Sequence, residues 1–166
     1  AVISNSANMV DYYLYADNDS AGVFSPVRAA YEFYNIQSQL QAGDVVINEL
    51  MPNNVSTVTD ASGKFEDWIE LYNTTSSHVS TAGLFLTDTI GLLQKWELPN
   101  QTIPANGYAI IWADEDGGQG DMHANFKLSN LGEQLILTNT DSVLIDSITY
   151  LPQADDVAFA RFPNGS

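Results

Sequence analysis

Apolar residues fall in short runs, alternating or continuous, each broken by Gly, Pro, Asn, Asp or Ser. From Val45 onward the runs predict strands at VVINEL (45–50), DWIELYN (67–73), LFLTD (84–88), KWEL (95–98), YAIIWA (108–113), EQLILTN (133–139), VLIDSITY (143–150) and VAFARF (157–162). Short strands at a spacing of about ten residues point to an antiparallel sandwich or barrel. Turn chemistry separates them at ASGK, PNQTIPANG, DEDGGQGD, NLGE and NTDS, and the stretch from Asn53 to Gly63 reads as the long loop. No segment carries a sustained 3.6-residue apolar stripe. The best helix candidate is PVRAAYEFYNIQSQLQ (26–41), whose YEFY alternates as well as it turns.

The first 35 residues read as a separate piece. In DYYLYADNDSAGVFSPVRAAYEFY a strand, an Asn/Asp/Gly turn and a second strand make a hairpin, with NIQSQLQAGD as the linker. The expected organisation is therefore a hairpin remnant of an upstream β module plus linker over 1–40, and a β-sandwich over 41–166. A lone hairpin is marginal in water, and its open edge invites pairing with a second copy.

Composition narrows the function. At 166 residues and 45% hydrophobic, the chain holds enough apolar material for one main core. Five Lys+Arg against 21 Asp+Glu give a formal charge of −16. Nucleic acid and anionic lipid are poor partners for such a surface; a cation, a neutral glycan or another protein fits better. There is no cysteine, hence no disulfide framework. No apolar run is long enough to span a bilayer, and with neither an initiating Met nor a signal-peptide pattern the chain reads as a mature or excised fragment.

Taken in order, several blocks resemble the bacterial form of the lamin tail domain: INE (47–49), DWIELYN (67–73), GLFLTD (83–88), WELP (96–99), IPANGYAIIWAD (103–114), HANFKL (123–128), GEQLIL (132–137) and RFPNG (161–165). The resemblance runs from about Val45 to the last residue. It implies an all-β, immunoglobulin-like antiparallel β-sandwich with an N-terminal β-hairpin extension. It further implies a secreted or cell-surface setting in bacteria and no catalytic residues in the domain itself. The chromatin contacts of the nuclear members do not transfer to a chain of this charge.

Three sets of residues could carry chemistry. Glu49, Asp67 and Glu70 could meet on neighbouring strands, and paired carboxyls are what a glycosidase requires. The better expectation is structural, with the three accepting hydrogen bonds from backbone or from Arg161. Asp114, Glu115, Asp116 and Asp121 sit in a Gly-rich acidic run able to wrap calcium, although without EF-hand spacing. With two histidines and no cysteine a zinc site is disfavoured, so His123 is expected to order its loop through one ring hydrogen bond. Trp68, Tyr72 and Trp96 could form a stacking platform for a sugar or a partner protein. Sequons occur at Asn18, Asn54, Asn73 and Asn100. The function expected is a non-catalytic interaction or anchoring module of a larger bacterial protein. A carbohydrate- or cell-wall-binding domain and a calcium-stabilised accessory domain of a secreted hydrolase are the alternatives.

Overall fold

The computed structural model describes residues 9–18, 21–25, 27, 34–37 and 40–166. The chain divides into two compact units, residues 1–39 and 40–166.

In the first unit β2 (Leu14–Asn18) and β3 (Ala21–Ser25) form the hairpin that the turn chemistry predicts. Asn18 Oδ1 accepts from the Ala21 amide across the turn, and the Tyr13 and Tyr15 rings lie against Phe24. A second antiparallel pair joins β1 (Met9–Tyr12) to β4 (Tyr34–Gln37). Part of the stretch assigned to linker is thus a strand, and the YNIQ part of the helix candidate is extended. The rest of that candidate up to residue 39, apart from Val27, lies outside the described residues.

The second unit is a sandwich of two sheets. One holds five strands in the order β12-β11-β6-β5-β15, and the other holds four in the order β14-β13-β8-β9. The first comprises β5 (Val45–Met51), β6 (Trp68–Asn73), β11 (Tyr108–Ala113), β12 (His123–Ala124) and β15 (Phe159–Ala160). The second comprises β8 (Leu84–Thr87), β9 (Trp96–Glu97), β13 (Glu133–Asn139) and β14 (Leu144–Tyr150). β7 (Val79–Ser80) and β10 (Thr102–Ile103) pair separately. Among the described residues there is no α-helix, only a 3₁₀ turn at Gly117–Gln119. No helix there is long and apolar enough to cross a membrane.

Period-2 alternation does most of the work. Ile69 and Leu71 of β6 and Ile111 of β11 turn inward and meet Leu86, Leu135 and Leu137 from the facing sheet. Burying each such aliphatic side chain is worth about 1.5–3 kcal/mol. The β5–β6 register shifts between Ile47 and Glu49, leaving Asn48 as an extra residue. Such a bulge bends the strand and re-aims its neighbours.

Two polar devices tie the layers. Asp146 of β14 accepts from the Ile47 amide of β5 at 2.7 Å and from Arg161 Nη2 at 3.0 Å, while Arg161 Nε donates to the Ile47 carbonyl. Asn73, fully buried, donates to the carbonyls of Ser77, Ile103 and Pro104 and accepts from the Thr75 amide. The first device joins the two sheets, and the second pins a turn and β10 onto the end of β6.

Candidate functional site

The outward face of the five-stranded sheet carries the residues most suited to recognition. Because Ile69, Leu71 and Asn73 face the core, Trp68, Glu70 and Tyr72 must face away from it. The same alternation turns Tyr108, Ile110 and Trp112 of β11 outward. Register then sets three rows across the strands. Met51, Trp68 and Trp112 make the first, Glu49, Glu70 and Ile110 the second, and Val46, Tyr72 and Tyr108 the third. Rows two residues apart along a strand are separated by roughly 7 Å. An acidic middle row is therefore framed by an indole row and a phenol row.

The rows differ in environment. Tyr108 and Ile110 are exposed, whereas Trp68, Glu70, Tyr72, Trp112 and Glu49 are half-buried. The Tyr72 and Tyr108 rings lie 4.9 Å apart. The C-terminal turn borders this end: Asn164 donates to the Tyr108 hydroxyl at 2.6 Å, and the Gly165 amide donates to Asn48 Oδ1. A Cβ on Gly165 would come within 3.2 Å of Thr74 and 3.3 Å of the Tyr72 ring, and its φ of 77° also favours glycine. At the opposite end the His123 ring stacks by Trp112 at 6.5 Å. Trp68 Nε1 is buried and among the described residues no acceptor reaches it, a donor arrangement that costs about 1–3 kcal/mol.

The three carboxylates singled out from sequence part company. Glu49 and Glu70 stand directly opposite each other on the outward face. Burial, and then the charge of Glu70, pushes the Glu49 carboxyl above its ordinary range. Asn48 Nδ2 donates to Glu70 at 2.8 Å. Asp67 precedes β6 and is held elsewhere, accepting from the backbone amides of Asn54 and Leu128. Its burial outweighs those bonds and raises its pKa to about 6. Arg161 pairs with none of the three. Its partner is Asp146, which in sequence looks like one more polar position in the alternating run LIDSITY.

The acidic loop is organised around itself. Asp114 is turned inward, its Oδ2 at 2.6 Å from His123 Nδ1, with the two side chains only 1% and 6% exposed. This is the single ring hydrogen bond expected of His123. Asp116 accepts from the Gly118 amide and Gln119 Nε2, and Gln119 also reaches Asp114. Ser62 Oγ donates to Gln119 Oε1, joining this loop to the long loop after β5. Asp114, Glu115, Asp116 and Asp121 are therefore not gathered into a calcium cradle. Among the described residues no three His, Cys, Asp or Glu side chains converge so as to hold a metal ion.

Of the aromatic trio, Trp68 and Tyr72 share the outward face. Trp96 does not, because on β9 it pairs with Leu86 of β8 and packs against the core from the other sheet. Tyr108 and Trp112, directly opposite Tyr72 and Trp68, complete the rows in its place. The run YAIIWA is apolar throughout, so its sequence does not mark which residues face outward; the pairing with β6 does. Two of the sequons are ruled out as open acceptors by burial, since Asn54 and Asn73 spend their side-chain amides on backbone carbonyls.

A family model for the lamin tail domain matches residues 38–152. The match stops before β15, Arg161 and the C-terminal turn, which nonetheless complete the five-stranded sheet and border its outward face. No curated protein matches the chain.

Proposed function

The chain belongs to the lamin tail domain family, and from that membership and the geometry above we propose that it is a non-catalytic interaction module. It would act within a larger bacterial protein that is secreted or displayed at the cell surface, docking through the outward face of its five-stranded sheet. Residues 1–39 would then be the end of a preceding β module. An immunoglobulin-like fold of this family is consistent with a non-catalytic role.

The observation that carries the reading is the pairing of Trp68 with Trp112 and of Tyr72 with Tyr108 on one face. Such rows present large rigid apolar area with polar tips, the composition enriched at interface centres. The carboxylates between them, Glu49 and Glu70, are immediate cross-strand neighbours.

A ligand panel of soluble cello- and chito-oligosaccharides and synthetic peptides, read through tryptophan fluorescence, tests this. Tyr108→Ala and Trp112→Ala should each weaken any response at least about tenfold, while Leu151→Ala, exposed outside the two sheets, leaves it intact. A glycoside and ester panel should show no turnover. Turnover lost in Glu49→Gln would replace the reading with an enzymatic one.

A further inference from the structure

Glu49 and Glu70 face each other across the β5–β6 ladder, and among the described residues no cation pairs with either. Like charges at directly opposed positions destabilise an antiparallel pair, and the hydrogen bond from Asn48 Nδ2 to Glu70 brings no positive charge to offset the repulsion. The lysines and the arginine of the described residues are engaged elsewhere. Lys64 lies by Asp116, Lys95 by Asp88 and Arg161 by Asp146. Lys127 acts on Asp67. Among the described residues none forms an ion pair with Glu49 or Glu70.

The surroundings suit a particular cation. On one side of the carboxylate row lie Trp68 and Trp112, and on the other Tyr72 and Tyr108, each roughly 7 Å away along the strands. A compact ammonium would use only the charge. A guanidinium is planar, bonds carboxylates through two parallel N–H donors and stacks on aromatic faces, so it uses both features of the site. A net charge of −16 steers such a group inward.

We propose that this face docks a segment of a partner protein whose arginine side chain lies over Glu49 and Glu70, between the tryptophan and tyrosine rows. The assignment rests on the outward face being the interaction surface, and it names the partner chemistry that surface takes.

The test titrates the 166-residue chain with a short peptide of alternating Arg and Ser, and with the same peptide carrying citrulline, the neutral isostere, in place of Arg. Binding is followed by calorimetry at low and moderate salt. Glu49→Gln combined with Glu70→Gln should weaken Arg-peptide binding at least about tenfold. The charge-matched pair Glu97→Gln with Asp121→Asn should change it less than about twofold. The citrulline peptide should not bind. Both variants are checked for folding by thermal melting, where relief of the Glu49–Glu70 repulsion should leave the first at least as stable as the parent. Equal losses in the two variants, equal binding of the citrulline peptide, or no binding of the Arg peptide would each overturn the proposal. If instead a neutral oligosaccharide binds, losing affinity in Trp112→Ala but not in the glutamine pair, the guanidinium seat falls while the outward face stands as the interaction surface.

Discussion

Arg161 and Asp146 meet at 3.0 Å where the edge of one sheet passes the other, and both also bond the backbone of Ile47. The two side chains are mostly buried, so removing one leaves the other poorly compensated. Arg161→Met should destabilise the domain by about 2–4 kcal/mol, a little under the roughly 3–5 kcal/mol for breaking a fully buried pair from one side, because these side chains keep 20% and 14% exposure. Urea denaturation checks it, and a loss below about 0.5 kcal/mol would mean that β15 and the C-terminal turn hold the sheet without this clamp.

Asn73 makes a second structural commitment. Its amide nitrogen shares two hydrogens among three carbonyls, those of Ser77 in the 74–78 turn, Ile103 at the end of β10 and the adjoining Pro104. Asn73→Asp is nearly isosteric but replaces that donor with a charge aimed at carbonyl oxygens. The expected cost is on the order of 3 kcal/mol or more. Asn73→Asp should therefore melt well below Asn100→Asp, a surface control of the same chemistry, and equal melting temperatures would refute the assignment.

Asp67 predicts a pH dependence of unusual sign. Its carboxyl titrates near pH 6 in the fold against an ordinary 3.8, chiefly because it is withdrawn from water. Between those values the native state holds a proton that the unfolded chain has lost, so this group's contribution to stability grows as pH falls from about 6 to 4. Above pH 6 the native state carries the full penalty of the charged form. Asp67→Asn lacks the titration. Its stability relative to the parent should fall steadily as pH is lowered through that window. A difference that stays constant from pH 7 to 4 would show that Asp67 titrates normally. Groups such as Asp60 and Asp156, held below their ordinary range by hydrogen bonds, are common to both proteins and cancel in the comparison.

What could be read from sequence followed the length of the alternating runs. WIELYN alternates long enough to assign both strand and inward face, and Ile69 and Leu71 take the core side as that pattern requires, whereas the continuous apolar runs of YAIIWA and EQLILTN mark a strand without marking its face. β7, β10 and β12 have two residues each, too few to show any period. VAFARF yields only Phe159–Ala160 as strand. Contacts made by distant segments stayed hidden for a different reason. Asp146 reads like any outward polar residue of a strand, and only its proximity to β5 gives it Ile47 and Arg161 as partners. The Asn48 bulge likewise leaves no trace in residue types, yet it is what sets Glu49 against Glu70. Trp96 lies on the other sheet, and aromatic character alone does not say which sheet, or which side of it, a short strand joins.

Where a ligand touches the molecule tests the outward face of the five-stranded sheet most directly. Amide chemical shifts of the isotopically labelled chain, followed during titration with the Arg–Ser peptide, would locate the contact residue by residue. Shifts centred on Glu49, Trp68, Glu70, Tyr72, Tyr108, Ile110 and Trp112 are the predicted result. Shifts concentrated in the loops 53–66 and 114–122, or scattered over acidic residues on every side, would contradict it.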